Sequence, residues 1–253
     1  MLFLAEQGLG DAIQFSRYVP LIASRGMEVV LEVQPALEAL LSQLPARIVR
    51  LGEKLPAFDL HCPMLSLPLA FETRLDSVPA SIPYLRAPAS HVNRWRKRLP
   101  LDRPRVGLAW SGSATLRNDR NRTIALSRLA KLVDPRWTLV SLQKEVREAD
   151  RGALAASSIV HFGEDLEDFL DTAAVIADLD VVISVDTAVA HLAGAMGKPV
   201  WILLPFAPDW RWRLGRDDSP WYPTARLFRQ EAPGVWEPVI ERAGQALLSL
   251  LKS

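Results

Sequence analysis

Short apolar, β-branched runs alternate with amphipathic stretches along nearly the whole chain, and this alternation limits the available folds more than any other feature. In the first part the runs fall at residues 2–5, 28–33, 47–51 and 58–61. Between the first two, residues 12–24 carry Ile13, Phe15, Val19 and Ile22 at roughly helical spacing. The second part repeats the plan, with runs at 105–110, 137–142, 181–185 and 200–204 and a last helix near 236–251. Strand–helix–strand alternation of this kind predicts parallel sheets covered by helices. A Pro-rich stretch at 79–88 and a basic, helix-like piece, Asn93-Arg94-Trp95-Arg96-Lys97-Arg98, divide the chain; the basic run reads as a solvated linker face. The expected fold class is therefore α/β, with one Rossmann-like domain over residues 1–100 and a second over 101–253, facing each other across a cleft.

Composition narrows the function classes. With 49% hydrophobic residues in 253, the chain is neither disordered nor of low complexity. Thirty basic residues against 29 acidic ones leave a net charge of +1, which gives no field drawing it to nucleic acid or an anionic membrane. A single cysteine, Cys62, excludes a disulfide framework and any cysteine-based zinc or iron–sulfur site. No apolar stretch approaches the ~18 residues of a membrane span, and the opening residues lack a signal peptide's basic start. A soluble, cytoplasmic protein is expected. The start directly on a strand suggests a gene product that begins earlier.

Open α/β sheets bind ligands at the carboxyl ends of their strands, so residues just after strands carry the information. Glu6-Gln7-Gly8-Leu9-Gly10-Asp11 follows the first run and opens a helix, and Gly8 and Gly10 permit close approach of a ligand to backbone amides. A dinucleotide fingerprint would need a glycine where Ile13 stands, and Glu32 sits inside the second run rather than at its end, so the signal for NAD is weak. Asp11 has two roles open to it: an N-cap taking first-turn amides, or a carboxylate that accepts a proton from an acceptor hydroxyl.

The strongest motif is Ile183-Ser184-Val185-Asp186-Thr187-Ala188-Val189-Ala190-His191-Leu192-Ala193-Gly194, closed by Gly197-Lys198-Pro199. A buried strand ends at Val185 and a helix of small residues starts at once. A slim helix start lets a diphosphate reach the amides of Thr187, Ala188 and Val189, with Thr187 adding a hydroxyl and Asp186 turning to a sugar. The alternative is a tightly packed helix with an ordinary cap. His191 reads equally as a core histidine or a ligand contact.

A third segment, Ser111-Gly112-Ser113-Ala114 followed by Arg117, Arg120 and Arg122, can clamp phosphate oxygens or form a solvated charged loop. Gln143 and Lys144, after the run at 137–142, fall on the same sheet edge. Asp178-Leu179-Asp180 precedes a buried strand, at the edge away from the predicted cleft, and is not read as a metal site. His61 and Cys62 point to opposite faces as strand neighbours, although His61 alone can line the cleft. Asp209-Trp210-Arg211-Trp212-Arg213 reads as a loop over the second domain or a base-stacking wall.

These motifs resemble a known family. Ser184-Val185-Asp186-Thr187-Ala188-Val189-Ala190-His191-Leu192-Ala193, with Lys198-Pro199, resembles the donor-binding Asp-Thr-Gly-Leu-x-His-Leu-Ala stretch of the heptosyltransferases of glycosyltransferase family nine, which transfer ADP-heptose units onto lipopolysaccharide. Gly8-Leu9-Gly10-Asp11 resembles that family's Gly-Asp turn, whose aspartate is regarded as the catalytic base. Gly107-Leu108-Ala109-Trp110 with Arg122 resembles its Gly-x-x-Trp…Lys segment, in which the basic residue contacts donor phosphate. From about residue 4 to 248 the chain is similar to the glycosyltransferase region at the C-terminus of bacterial tetratricopeptide-repeat proteins. That likeness rests on Ala5-Glu6-Gln7-Gly8-Leu9-Gly10-Asp11, Phe58-Asp59-Leu60-His61-Cys62-Pro63 and Leu204-Pro205-Phe206-Ala207-Pro208-Asp209-Trp210-Arg211-Trp212.

The resemblance implies a GT-B fold with acceptor side first and nucleotide-sugar donor side second, the last helix crossing back toward the first domain. It implies an inverting glycosyltransferase that needs neither metal nor cofactor, with Asp11 as base. The donor would lie against Ser111, Gly112, Arg122, Gln143, Lys144, Asp186, Thr187, Ala188, Val189 and His191, and the acceptor near Gly8, Gly10 and His61. The acceptor would be a glycan, lipopolysaccharide or protein, and an upstream tetratricopeptide-repeat region is an implied partner; nucleic acid and membrane are not. Ala188 in place of glycine and Arg122 in place of lysine leave the sugar and nucleotide open. A non-catalytic nucleotide-sugar-binding or scaffold module is the alternative, with an NAD-linked oxidoreductase behind it.

Overall fold

The computed structural model describes residues 1–100, 102–116 and 118–250. Arg117 of the arginine segment and Leu251 of the expected last helix lie outside them. Two all-parallel sheets form. The first contains β1 (Leu2–Leu4), β2 (Val30–Val33), β3 (Arg47–Arg50) and β4 (His61–Pro63), in the order β3-β2-β1-β4. The second contains β5 (Arg105–Ala109), β6 (Thr138–Ser141), β7 (Val160–His161), β8 (Val181–Val185), β9 (Val200–Leu204) and β10 (Ala225–Arg229), in the order β10-β9-β8-β5-β6-β7. That is the doubly wound order of dinucleotide-binding folds, reversing between β5 and β8. The first sheet reverses between β1 and β4.

Central strands of a sheet covered on both faces must be apolar throughout. All five residues of β8 and of β9 are buried. Ser184, the polar residue of β8, satisfies its hydroxyl at the Val185 carbonyl, 2.7 Å away. One hydrophobic cluster, with Trp110, Trp137, Trp201, Trp236 and Ile240, covers one side of the second sheet. The other runs without a break from Phe3, Phe15 and Leu31 of the first half to Ala173, Leu192, Trp212 and Tyr222 of the second. The halves therefore share a core.

Several expected boundaries shift. The helix expected over 12–24 is divided into Leu9–Phe15, a 3-10 turn at Ser16–Tyr18 and Val19–Ala23. Pro20 cannot donate to the preceding turn, and the Ile13 and Gln14 carbonyls are taken by Ser16 Oγ at 2.9 Å and Arg17 Nε at 2.8 Å. The strand expected at 58–61 is instead His61–Pro63, with Phe58 and Leu60 exposed ahead of it. β4 is an edge strand, where Pro63 is tolerated. The strands β7 and β10 were not expected from the sequence.

The basic run at 93–98 is exposed, as a solvated face should be, except at Trp95, but it is also a docking element. It belongs to a helix, Ala89–Arg96, that docks on the helix Phe169–Ala177. Arg94 pairs with Asp171, Arg96 with Asp178 at 2.8 Å, and Arg98 with Asp165. Between them the buried Trp95 donates its indole N–H to Asp171 at 2.9 Å. Asp178 and Asp180 are occupied in turn by the Arg105 side chain and amide. The helix Glu237–Leu250 lies on its own half rather than crossing to the first: Val239, Ile240, Ala243 and Leu247 join the Trp137 cluster, and Glu237 and Glu241 pair with Arg128 and Lys131. No helix among the described residues is long and apolar enough to cross a membrane.

Candidate functional site

Both sheets direct their reversal points to one region, because the helix Leu9–Phe15 after β1 packs on the helix Ala188–Ala195 after β8. Gly10 makes the contact possible. A Cβ there would lie 2.7 Å from His191 Cδ2 and 3.4 Å from the Ala188 Cα.

Asp11 stands in the first turn, three residues after the N-cap Gly8, and so is not itself the cap. Its carboxylate accepts the Gly8 amide at 2.9 Å and forms an ion pair with Arg211 from the second half. Burial raises this carboxyl above its ordinary value; Arg211 and the Gly8 amide pull it down, while Asp209 and Glu6 add to the rise.

Asp186 and His191 form the next layer. The His191 ring is buried, stacked on Trp212 at 5.3 Å, with Nδ1 2.9 Å from the Tyr222 hydroxyl. Its Nε2 faces Asp186 at 3.9 Å. Burial, with Arg211, Arg17 and Arg122 adding, holds the imidazole neutral. Burial also pushes the Asp186 carboxyl up to about 6, against the pull of Arg122 and Arg211. Thr187 is the N-cap of the helix Ala188–Ala195 without bonding through its side chain to the first turn; its Oγ1 meets Ser184 Oγ at 3.1 Å. The Ala188 and Val189 amides lack an intrahelical acceptor by geometry and point where an anion is favoured, whereas the Ala190 amide already bonds the Thr187 carbonyl at 3.0 Å.

Above the same edge, Arg122 donates through Nη1 to the Asp186 carbonyl at 2.6 Å, its guanidinium lying over Gly112 so closely that a Cβ there would be 2.3 Å from Nη2. Asp119 steadies it at Nε, 3.3 Å away, and is shared with Arg147 and Thr123. Burial penalises the Asp119 carboxylate, but these partners hold it below its ordinary range. The loop is a built ion-pair network, at odds with a merely solvated charge run. Gln143 ties β5 to β6: its Oε1 accepts the Trp110 and Ser111 amides at 3.1 and 3.2 Å, and its Nε2 donates to Ser111 Oγ at 3.0 Å. Exposed Lys144 reaches the Glu167 carbonyl at 2.6 Å and lines a cavity of about 1180 Å³ with Arg151, His161, Gly163 and Glu164, past the ends of β6 and β7.

The structure thus packs the helix carrying Gly10 and Asp11 on the helix Ala188–Ala195, with Gly10 against Ala188 and His191, and sets Ser111, Gly112, Gln143, Lys144 and Asp186 after the strands of the second sheet, with Arg122 bonded to Asp186. His61 stays apart. It begins β4 in register with Leu2, at the amino end of the first sheet, exposed and beside Phe58. Sequence reasoning missed Arg211 as a partner of Asp11. It also missed Tyr222, and Trp212 belongs to the core rather than to a base-stacking wall; the Asp-Trp-Arg-Trp string was the available signal. Among the described residues no group of three or more His, Cys, Asp or Glu is placed to hold a metal ion.

Comparisons with known proteins bear on the fold and on one segment of the chain. Residues 167–242 match glycosyltransferase family 9 (heptosyltransferase). Protein FlbA of Caulobacter vibrioides is 28% identical over 277 aligned positions, covering 98% of this chain and 46% of that protein, so the chain spans about half the length of this curated relative. A glycosyl transferase family 9 structure from Veillonella parvula shares the fold with a TM-score of 0.67 at 11% identity, covering 99% of this chain and 96% of that one. The E. coli ADP-heptose lps heptosyltransferase II gives 0.59 at 13% identity, covering 99% and 98%. The second half thus contains a segment similar to glycosyltransferase family 9, and the chain has, over its length, the GT-B α/β fold of family 9 structures.

Proposed function

We propose that this chain is an inverting, metal-independent glycosyltransferase that moves a sugar from a nucleotide-diphosphate donor to an acceptor hydroxyl. The observation that carries the reading is the packing of the helix that bears Asp11, from one half, on the uncapped helix Ala188–Ala195 from the other, with Arg122 bonded to the Asp186 carbonyl just ahead of that helix. Asp11 takes the proton of the acceptor hydroxyl as its oxygen bonds to the anomeric carbon. On the opposite face the bond from that carbon to the diphosphate oxygen breaks, and configuration inverts. The amides of Thr187, Ala188 and Val189, with Arg122, stabilise the charge on the departing diphosphate. The nucleoside is assigned to the side of Lys144, past the end of β6, and the sugar to the side of Asp186. The acceptor is a glycan, lipopolysaccharide or protein, the reaction is cytoplasmic, and the resemblance alone supports an upstream tetratricopeptide-repeat partner.

Asp11→Asn tests the base. The variant should fold and bind ADP as the wild type does while transfer from an ADP-sugar drops by about 10²–10⁴-fold. Unchanged turnover would remove Asp11 from the mechanism. The ion pair occupying Asp11 motivates a second reading, a non-catalytic nucleotide-sugar-binding module. It predicts donor binding without turnover and no effect of Asp11→Asn.

A further inference from the structure

We infer that Arg211 is the positioning residue of the proposed base: reaching across from the second half, it clamps the Asp11 carboxylate, so that the base is set only when the two halves are together. This rests on the transferase reading for its consequence, but the clamp itself is testable without it. The Arg211 guanidinium is held on three sides. Nη2 meets Asp11, Nε donates to Gln14 Oε1 at 2.7 Å, and Nη1 donates to Asp209 Oδ1 at 2.8 Å. Asp209 also accepts the Arg211 amide at 3.0 Å, capping the short turn Trp210–Trp212 from which the side chain departs. The guanidinium lies 5.0 Å from the Trp210 ring centroid and 5.7 Å from that of Phe15, with 9% of the side chain exposed.

Two of these partners, Asp11 and Gln14, lie on the first helix, whereas Asp209 lies on the loop after β9. Separation of the halves would therefore part Arg211 from the base while leaving it attached to Asp209. The planar fork suits the task, because it can hold a carboxylate, an amide and a second carboxylate at once; a lysine ammonium is a point charge on a flexible stem. The charged groups facing Asp11 are Arg211 and Asp209 from that loop and Glu6 from the loop after β1, with the Gly8 amide completing the set. Burial, Asp209 and Glu6 all favour the protonated acid, which cannot act as a base. Arg211 is the cation that opposes them, so the clamp both aims the carboxylate and keeps it charged.

The test follows the Asp11 carboxyl by carbon NMR in chain labelled with ¹³C-aspartate, assigned by its loss in Asp11→Asn. In Arg211→Gln the titration midpoint of Asp11 should rise by about 1–3 pH units, with a smaller rise in Arg211→Lys. An unchanged midpoint in folded Arg211→Gln overturns the proposal. A measurement on the unsubstituted guanidinium stands independently of whether that variant folds. A clamped Arg211 rotates slowly about its Cζ–Nη bonds, giving a resolved Nη2 nitrogen signal that averages in Asp11→Asn; averaged signals in the wild type overturn the clamp. ADP titration by calorimetry runs in parallel. No ADP binding together with a shifted Asp11 midpoint would sink the transferase reading and leave the clamp standing.

Discussion

Adding one methyl group at Gly10 probes the joint that sets Asp11 beside the helix Ala188–Ala195. The new Cβ would lie 2.7 Å from His191 Cδ2 and 3.4 Å from the Ala188 Cα. His191 has little room to step aside, being bonded to the Tyr222 hydroxyl at 2.9 Å and stacked on Trp212. The helix Leu9–Phe15 must shift instead. Overpacking of this kind costs about 1–3 kcal/mol, and replacing a helical glycine with alanine returns about 0.5–1 kcal/mol. The net loss is up to about 2.5 kcal/mol, which lowers the melting temperature by up to about 10 °C in a chain of this size. Gly152 is the control, because it sits in the helix Glu148–Ala155 and a Cβ there meets nothing within 4 Å. Gly152→Ala keeps the propensity gain alone and should raise the melting temperature by about 1–4 °C. Calorimetric melts of the three proteins in one buffer make the comparison. If Gly10→Ala melts as high as Gly152→Ala, the close packing described between the halves is wrong.

Two further predictions concern the donor edge. In Gly112→Ala the new methyl would lie 2.3 Å from Arg122 Nη2, an atom at the end of a flexible side chain, so the guanidinium gives way rather than the backbone. Its bond to the Asp186 carbonyl is lost, and ADP affinity by calorimetry should fall about tenfold, or ~1.4 kcal/mol, with little change in melting; equal affinity would detach Arg122 from the donor. The second concerns Asp186, whose carboxyl is raised by burial from 3.8 to about 6. The folded chain therefore binds this proton more tightly than the unfolded one. Stability tied to the group is full below the unfolded value and is lost as pH rises through about 6. Asp186→Asn should be more stable than wild type at about pH 8, by roughly 2–3 kcal/mol, and indistinguishable from it at about pH 3 in denaturant titrations. An advantage that does not change with pH contradicts the burial argument.

How much of this was legible in the sequence depends on how local the cause is. β8 and β9 were readable because burial on both faces forces a continuous apolar run, and their expected and observed limits coincide. The edge strands were not. β10 interleaves Arg226 and Arg229 with its apolar residues, and β7 has two residues. Misplacing β4 by a few residues put His61 at the wrong end of the sheet, because Phe58 and Leu60 look like strand residues but stay exposed. The motifs after strands were visible in the site, since the reversal of strand order gathers them whatever the packing between helices. The pairing of Asp11 with Arg211, 200 residues away, was not. Nor were the ion pairs by which the exposed Arg94, Arg96 and Arg98 also serve a docking helix, because their partners are ordinary surface-type aspartates until the fold brings them together.

The most direct test of the central claim is calorimetric titration of ADP, UDP, GDP and CDP into wild type and Thr187→Ala, each with EDTA and with magnesium. One of these nucleotides should bind with the same affinity in both conditions, and Thr187→Ala should weaken it. Absence of binding by all four would contradict a donor site at the start of the helix Ala188–Ala195.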